Sequence, residues 1–206
     1  MKRIGVLVSG GGTNLQAIVD GVKKGEIPAE VGVVISNKPG VYALERAAQN
    51  QIPTRVIDHR EYPSVPDFTQ AILNCLREFQ IDLVCLAGFL RIFDGLLVEA
   101  YPNRILNIHP ALLPAFGGKG MYGHHVHEAV IASGAKYSGA TVHLVTAETD
   151  VGPIVAQGII AVSDQDTPET LAAKVLQIEH QIYPQAIRML ALDKLIVEGL
   201  RVKEKL

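Results

Sequence analysis

The sequence predicts an α/β protein with a doubly wound, mostly parallel β-sheet and antiparallel strands near its C-terminal end. Two observations lead to this fold class. As far as about residue 135, short apolar runs alternate with segments whose apolar residues recur at helical spacing, which is typical of parallel strands joined by helices. After that point, two apolar runs follow each other with only a loop between them, which favours antiparallel pairing.

The individual elements follow from these patterns. Buried strands are expected at residues 3–9, 31–35, 54–57, 83–87, 104–108, 137–145 and 154–162, where β-branched and other apolar residues form short runs bounded by turn residues. Helices are expected from residue 13, over 42–50, along an apolar stripe over 68–79, over 93–100, and from 167 to about 192. Thr167 and Pro168 are typical of a helix start, whereas Pro184 predicts a kink or a break.

Length and composition limit the function classes. A chain of 206 residues with 48% hydrophobic content can bury one substantial core, so a single domain over residues 1–206 is expected. Its formal net charge of -2 offers no basic excess for binding nucleic acid, and no apolar run is long enough to span a membrane. Cys75 and Cys85 lie in apolar surroundings, as free thiols commonly do, which predicts a cytoplasmic protein.

A glycine-rich loop lies between the first predicted strand and the first predicted helix. Residues 10–14 are Gly-Gly-Gly-Thr-Asn, and at such a position backbone N–H groups and the helix dipole can hold an anion. Leu15 replaces the third glycine of a dinucleotide fingerprint and no Gly-Lys-Ser/Thr follows, so a lone phosphate monoester fits better than a dinucleotide or ATP. Alternatively, the loop is only a tight turn in which Thr13 caps the helix.

A polar pair ends the fifth predicted strand. Asn107 and His109 are two residues apart, so they project together at the carboxyl end of the strand, where open α/β sheets bind ligands. A carboxamide that donates to a carbonyl oxygen, beside an imidazole that transfers protons, suits acyl transfer. Alternatively, His109 only ties the following loop, which contains Pro110 and Pro114, to the backbone.

A carboxylate occupies the loop between the two antiparallel strands. Asp150 precedes Gly152 and Pro153. If its side chain approached His109, it would raise the pKa of that imidazole above the usual ~6.5 by favouring the charged form. Alternatively, Asp150 is an ordinary turn residue.

The loop over residues 116–127 is rich in glycine and histidine. His124, His125 and His127 are closely spaced, but no cysteine or clear carboxylate partner completes a zinc ligand set, so no metal is expected. Histidines that open a helix explain the spacing better. The glycines predict a mobile flap over the site.

Five motifs occur together in a fixed order along the chain. They are Ser-Gly-Gly-Gly-Thr-Asn-Leu-Gln-Ala at 9–17, Leu-Ala-Gly-Phe-Leu-Arg-Ile at 86–92, Leu-Asn-Ile-His-Pro with Leu-Leu-Pro over 106–114, Thr-Asp-Val-Gly-Pro at 149–153, and Glu-His-Gln-Ile-Tyr-Pro at 179–184. With these motifs the chain resembles the phosphoribosylglycinamide formyltransferases, a branch of the folate-dependent formyltransferases, over almost its whole length. The Asn-His-Pro run is shared by the wider group, and the glycine loop and the last motif narrow the match.

The resemblance implies a Rossmann-like formyltransferase fold and an enzyme of purine biosynthesis. It implies transfer of the formyl group of 10-formyltetrahydrofolate, a co-substrate, to the amine of glycinamide ribonucleotide, without a metal and as a monomer or homodimer. It also implies roles for matching residues: catalysis by Asn107, His109 and Asp150; phosphate and ribose binding by Gly12, Thr13, Asn14 and Glu179; and folate binding by Leu90, Arg91, Ile92, Phe93 and Asn107.

The chain departs from the family pattern at one contact. Related enzymes often carry an arginine just before the aromatic residue that starts the helix at Phe68, where it can meet a folate carboxylate. Residues 64–67 contain no arginine, and Arg60 is the candidate replacement.

Other functions remain as alternatives. A formyl-folate hydrolase would use the same three catalytic residues on water, but is expected to carry an extra regulatory domain. A methionyl-tRNA formyltransferase is expected to need a further C-terminal domain and a basic surface. A non-catalytic nucleotide-binding module would explain the glycine loop but leave Asn107, His109 and Asp150 without a purpose.

Overall fold

The protein folds around one sheet, as seen in a computed structural model that describes residues 1–205. The strands of this part of the chain are β1 (Lys2–Val8), β2 (Ala29–Ser36), β3 (Thr54–Val56), β4 (Leu83–Leu86), β5 (Ile105–His109), β6 (Tyr137–Leu144), β7 (Ile154–Ala161), β8 (Leu195–Glu198) and β9 (Arg201–Glu204). The helices are α1 (Thr13–Lys23), α2 (Tyr42–Gln49), α3 (Val65–Glu78), α4 (Gly95–Ala100), α5 (His124–Ser133) and α6 (Pro168–Ala191).

The strand order of the sheet is β3-β2-β1-β4-β5-β6-β7-β9-β8. Strands β1 to β5 pair in parallel, β6 is antiparallel to β5, and β7 is antiparallel to β6. The order reverses between β1 and β4, the place where open α/β sheets bind ligands beyond the carboxyl ends of their strands. The predicted fold class, a mostly parallel sheet with antiparallel strands near the C-terminal end, is confirmed.

Helices cover both faces of the sheet because each buries one apolar stripe. Leu15 and Ile18 of α1 belong to a buried cluster that also contains residues of α2, α5 and α6. Phe68 and Ile72 of α3 belong to a second cluster with Leu97 of α4. The sheet is therefore doubly wound, with a core on each side.

Helix α6 runs unbroken through Pro184, so of the two predicted effects, a kink or a break, the break is wrong. Thr167 caps the helix by accepting a hydrogen bond from the Thr170 N–H, and Pro168 follows, as predicted. Pro184 removes one helical hydrogen bond. However, the adjacent Tyr183 is fully buried, and its hydroxyl lies 2.9 Å from the carbonyl oxygen of Leu86 and 3.1 Å from that of Leu106. This attachment to the central strands stabilises the helix through the proline.

Helix α4 begins at Gly95 rather than at residue 93. The Asp94 side chain accepts a hydrogen bond from the Leu96 N–H and caps the helix there. Phe93 therefore belongs to the loop that precedes α4, and that loop borders the functional site described below.

Strands β8 and β9 were not expected from the sequence. They form an antiparallel hairpin, and β9 pairs in parallel with β7. Gly199 lies in the connecting turn with a positive φ of 61°, a conformation that glycine adopts without strain. A short apolar run at 195–197, a glycine at 199 and the polar–apolar alternation over 201–203 are the signal that predicts such a hairpin.

Two further properties bear on function. None of the helices within residues 1–205 combines the length and apolar character needed to cross a membrane. Cys75 and Cys85 are free and buried, as predicted, and burial raises the pKa of the Cys85 thiol to about 12. That thiol is therefore held in its unreactive protonated form.

Candidate active site

A cavity of about 960 Å³ opens at the carboxyl ends of the parallel strands. It brings together eight of the residues predicted from the sequence: Asn14, Leu90, Arg91, Ile92, Asn107, His109, Asp150 and Glu179. Phe93 lines only a smaller cavity of about 120 Å³, which shares Arg91, Ile92, Asn107 and Asp150 with the large one. Gly12 and Thr13 line neither cavity and lie at the start of α1, next to Asn14.

His109 is the last residue of β5 and is 4% exposed. Its Nε2 lies 2.8 Å from the carbonyl oxygen of Phe116, which can only accept, so Nε2 carries a hydrogen and donates it. His109 therefore does tie the following loop to the backbone, as the simpler alternative expected. Its Nδ1 is left to face Asp150, whose Oδ2 lies 3.6 Å away.

The predicted rise in the pKa of His109 is wrong, although Asp150 does lie beside it. Burial lowers the pKa of His109 below its ordinary value, because the charged imidazolium loses hydration. The Asp150 carboxylate and the Phe116 carbonyl act in the opposite direction without reversing the shift. The lowered pKa thus favours the neutral imidazole of His109.

Asp150 is more than a turn residue. Its φ is 58°, a conformation that aspartate adopts more readily than most residues. Its Oδ2 accepts a hydrogen bond from the Gly118 N–H at 3.0 Å, a contact outside its own turn. Its Oδ1 lies 3.6 Å from His143 Nε2, so the carboxylate stands between two buried histidines. Burial raises the pKa of Asp150, but the hydrogen bond from the Gly118 N–H and the neighbouring His109 help to keep that pKa below its ordinary value. Asp150 is therefore ionised at neutral pH.

The turn that carries Asp150 requires glycine at position 152. A Cβ atom at Gly152 would lie 1.8 Å from the carbonyl oxygen of Leu144, a distance that no side chain can occupy. The backbone of the turn therefore packs directly on the end of β6. This close approach fixes the position of Asp150.

Asn107 is paired with a residue that the sequence did not single out. Asn107 and His143 face each other across the antiparallel β5–β6 ladder, and Asn107 Nδ2 lies 3.1 Å from His143 Nε2. His143 Nδ1 lies 3.0 Å from the Leu144 carbonyl oxygen and must donate to it. In neutral His143, Nε2 is then an acceptor, so it receives one hydrogen of the Asn107 amide and leaves the other available to the cavity. A lone histidine in the apolar run over 137–145 was the signal for this role.

The glycine loop meets α1 in the geometry expected of an anion site. The first helical hydrogen bond runs from the Gln16 N–H to the Gly12 carbonyl, so the N–H groups of residues 13–15 have no acceptor within the helix. Gly12 adopts a φ of 72° as the N-cap residue, and the Thr13 side chain makes no capping bond. The alternative in which Thr13 caps the helix is therefore wrong, and its hydroxyl stays available.

Asn14 and Glu179 contact each other. Asn14 Nδ2 donates to Glu179 Oε2 at 2.6 Å, and both residues are 8% exposed. Burial raises the pKa of Glu179, and the hydrogen bond from Asn14 partly offsets this. The Asn14 Oδ1 atom is buried and has no hydrogen-bond partner among residues 1–205, so the pair presents an unsatisfied acceptor at the edge of the cavity.

Two arginines have contacts that the sequence analysis did not predict. Arg46 of α2, which was not predicted, donates from Nε to the Gly11 carbonyl oxygen at 2.9 Å and lies over the Tyr42 ring at 4.8 Å, so it braces the glycine loop. Arg60, the candidate folate contact, instead pairs with Asp58 through Nε and Nη2 and lines neither cavity.

The histidine-rich segment forms the start of α5, as predicted. His124 lies 3.5 Å from a carboxylate oxygen of Glu128 and 3.4 Å from one of Glu169. Within residues 1–205, no three histidine, cysteine or acidic side chains are arranged to hold a metal ion. The proposed mobility of the flap over 116–127 stays a prediction.

Comparison with known proteins shows which family the chain belongs to. Residues 2–187 match the family described as formyl transferase. A chloroplastic phosphoribosylglycinamide formyltransferase of Arabidopsis thaliana is 45% identical over 90% of this chain and 64% of its own length. A trifunctional purine biosynthetic protein adenosine-3 of Gallus gallus is 43% identical over 92% of this chain. The chain spans only 18% of that trifunctional protein and less than two thirds of the Arabidopsis one.

Solved structures agree with the sequence matches. Glycinamide ribonucleotide transformylase 1 of Symbiobacterium toebii is 47% identical and superposes with a TM-score of 0.95, covering 99% of this chain and 94% of its own. A formyltetrahydrofolate deformylase of Pseudomonas syringae pv. tomato has a TM-score of 0.89 over 98% of this chain and 65% of its own, but at 24% identity it shares the fold alone. On the match over residues 2–187, the chain belongs to the formyl transferase family.

Proposed function

We propose that this protein is an enzyme that transfers the formyl group of 10-formyltetrahydrofolate to the amine of glycinamide ribonucleotide, a step of de novo purine biosynthesis. We also propose that residues 1–206 form a single formyltransferase domain. The observation that carries the proposal is the large cavity, where Asn107, His109 and Asp150 meet both the Asn14–Glu179 pair and the loop from Leu90. In this cavity, the three side chains suited to acyl transfer thus lie between two different binding surfaces.

The two surfaces suit the two substrates. The N–H groups at the start of α1, with the Thr13 hydroxyl, would bind the phosphate of the ribonucleotide. The unsatisfied Asn14 Oδ1 and the Glu179 carboxyl would accept hydrogen bonds from its ribose hydroxyls. Leu90, Arg91, Ile92 and Phe93 would line the folate site, where backbone groups can bind the polar edge of the pterin.

The reaction then follows from the protonation states. The glycinamide amine attacks the formyl carbon, and the free hydrogen of the Asn107 amide stabilises the oxyanion that forms. Neutral His109 accepts the proton that the amine must lose, directly or through water. The resulting imidazolium returns this proton to N10 of the folate as the bond from N10 to the formyl carbon breaks, which releases tetrahydrofolate.

Asp150 acts while His109 carries the proton, between amine attack and release of tetrahydrofolate. Its carboxylate lies 3.6 Å from His109 Nδ1 and stabilises the imidazolium while that charge exists. Much of the rate enhancement comes from holding two substrates against each other. The chemistry needs no metal, and the partners are these small molecules rather than nucleic acid or membrane. Free buried thiols support a cytoplasmic location.

Release of tetrahydrofolate with and without glycinamide ribonucleotide tests the proposal. We expect absorbance to report product only when the ribonucleotide is present, and product loss in His109→Asn. The exposed His125→Asn is the matched control and should keep full activity. Equal release without the ribonucleotide would identify a hydrolase and overturn the proposal.

A further inference from the structure

The loop over residues 88–94, between β4 and α4, separates the two cavities. Leu90 lines the large cavity, Phe93 the small one, and Arg91 and Ile92 line both. The side chains of Leu90 and Ile92 are 47% and 77% exposed, so they do not hold this stretch by burial. Phe89 and Phe93 pack against the core on the α3 side of the sheet. The conformation of the exposed stretch between them therefore depends on this packing and on how the backbone is attached at each end.

The first attachment comes from the end of β1. The Leu90 N–H donates to the Ser9 hydroxyl oxygen at 2.8 Å. The Ser9 hydroxyl in turn donates to Asn37 Oδ1 at 2.5 Å, and both Ser9 and Asn37 are buried. Because Asn37 takes the only hydrogen of this hydroxyl, its oxygen is oriented to accept from Leu90.

The second attachment has the same form and comes from α3. The Asp94 N–H donates to the Thr69 hydroxyl oxygen at 2.8 Å, and this hydroxyl donates to the Val65 carbonyl at 2.8 Å. Thr69 is fully buried. Two buried hydroxyls on different elements thus each accept one backbone N–H, at the two ends of the same exposed stretch.

We infer that Ser9 and Thr69 are positioning residues for formyl-folate, which hold the wall between the two cavities in its binding conformation. The inference rests on the proposed function, since it takes the loop over 88–94 as the folate wall. Thr69 lies on the face of the sheet opposite α1 and α6, so its effect should be confined to the folate. Ser9 directly precedes the glycine loop, so its effect should extend to the ribonucleotide.

Thr69→Val tests the inference because it removes the hydroxyl and keeps the shape. We expect the KM for formyl-folate and the calorimetric Kd for tetrahydrofolate to rise about three- to tenfold, the usual loss for one hydrogen bond. The kcat and the KM for the ribonucleotide should stay within about twofold of wild type by the same reasoning. Thr69→Ser keeps the hydroxyl and should restore the wild-type values.

Ser9→Ala should raise both KM values, and Ser36→Ala should change neither. Ser36 is the matched control because it is fully buried at the end of β2 and its hydroxyl contacts only Lys38 in its own turn. Unchanged folate affinity in Thr69→Val, or an equal rise in both of its KM values, would overturn the positioning role. Wild-type protein that binds no tetrahydrofolate would instead overturn the proposed function.

Hydrogen exchange provides a readout that needs no ligand. In the wild type, the amides of Leu90 and Asp94 should exchange more slowly than the amide of Ile92, which lies between them. Ser9→Ala should release the Leu90 amide alone, and Thr69→Val the Asp94 amide alone. If either variant fails to fold, the wild-type measurement decides, since amides of Leu90 and Asp94 that exchange as fast as Ile92 contradict the attachments.

Discussion

Asn107 and His143 lie directly opposite each other on β5 and β6, and the amide nitrogen of one is 3.1 Å from the ring nitrogen Nε2 of the other. The Leu144 carbonyl fixes which nitrogen of His143 carries the hydrogen, and His143 in turn fixes which way the Asn107 amide points. His143, which does not need to contact a substrate, therefore orients the Asn107 amide, which is proposed to contact one.

Replacing His143 by Phe should lower kcat by about tenfold, since Asn107 loses its acceptor and its amide is free to turn. A double-mutant cycle with Asn107→Ala checks the cause. The loss in the double variant should be much smaller than the product of the two single losses. Independent, multiplicative losses would mean that His143 does not act through Asn107.

Asn107→Ala should lower kcat by a factor on the order of 10²–10³, the usual effect of removing one oxyanion donor. Both KM values should change little because the lost contact forms mainly in the transition state. Steady-state kinetics measure this, with the exposed Asn74→Ala as the control. A variant that keeps the wild-type kcat would remove Asn107 from the mechanism.

Asp150→Asn should shift the pH dependence of the rate to lower pH. The neutral form of His109 is the reactive one, so kcat/KM should rise with pH through the pKa of His109, which burial already holds below its ordinary value. Removing the carboxylate removes an influence that raises this pKa, so the rise should occur at lower pH. The rate on the plateau should fall because the transient imidazolium loses its partner. NMR titration of His109 in both proteins checks the shift, and an unmoved pKa would contradict it.

Gly11→Asp should raise the KM for the ribonucleotide at least tenfold, by placing a negative charge beside the proposed phosphate site. A Cβ at Gly11 meets no atom within 4 Å, so the side chain can be added without a clash. Gly12 is unsuitable because its φ is 72° and a Cβ would lie 2.6 Å from that of Ala43. Gly11→Asn has the same size without the charge and should have a much smaller effect. Matching effects of the two variants would argue against a phosphate at this loop.

Tyr183→Phe should reduce the free energy of unfolding by about 1–3 kcal/mol, since it removes the one hydrogen that this buried hydroxyl can donate to the carbonyl oxygen of Leu86 or of Leu106. Urea denaturation measures the change. Tyr137→Phe, at a tyrosine that is 62% exposed, should be neutral within about 0.5 kcal/mol. Equal stability of Tyr183→Phe and wild type would show that the hydroxyl does not anchor α6.

Local patterns were sufficient to predict most of the fold. The apolar runs and helical stripes predict every strand from β1 to β7 and every helix except α5, because each element depends on its own periodicity. Of α5, only its start at the closely spaced histidines was expected. The break, one of the two effects predicted for Pro184, does not occur, and the reason is not local. Contacts of Tyr183 with strands distant in sequence decide it, and no local pattern contains them.

The residues of the site also fall into two groups, those that a local sequence pattern predicts and those that it does not. Asn107 and His109 are recognisable because two positions on one strand end share a direction. The pKa of His109 could not be predicted, since its sign depends on how completely the folded chain removes water from the ring. His143 and Arg46 were missed because each acts on a residue more than thirty positions away, His143 on Asn107 and Arg46 on Gly11.

Gly152 has a consequence for experiments that infer function from mutational tolerance. Any side chain at this position collides with the Leu144 carbonyl oxygen, so a saturation library should accept no other amino acid there. Gly10 and Gly11, in the proposed phosphate loop, have open space around them and should accept small uncharged residues. A ranking of positions by intolerance to substitution would thus place Gly152, which is not expected to contact a substrate, above Gly10 and Gly11, which border the proposed phosphate site. The loss of activity at Gly152 would come from the displacement of Asp150, yet it would look like the loss of a binding contact.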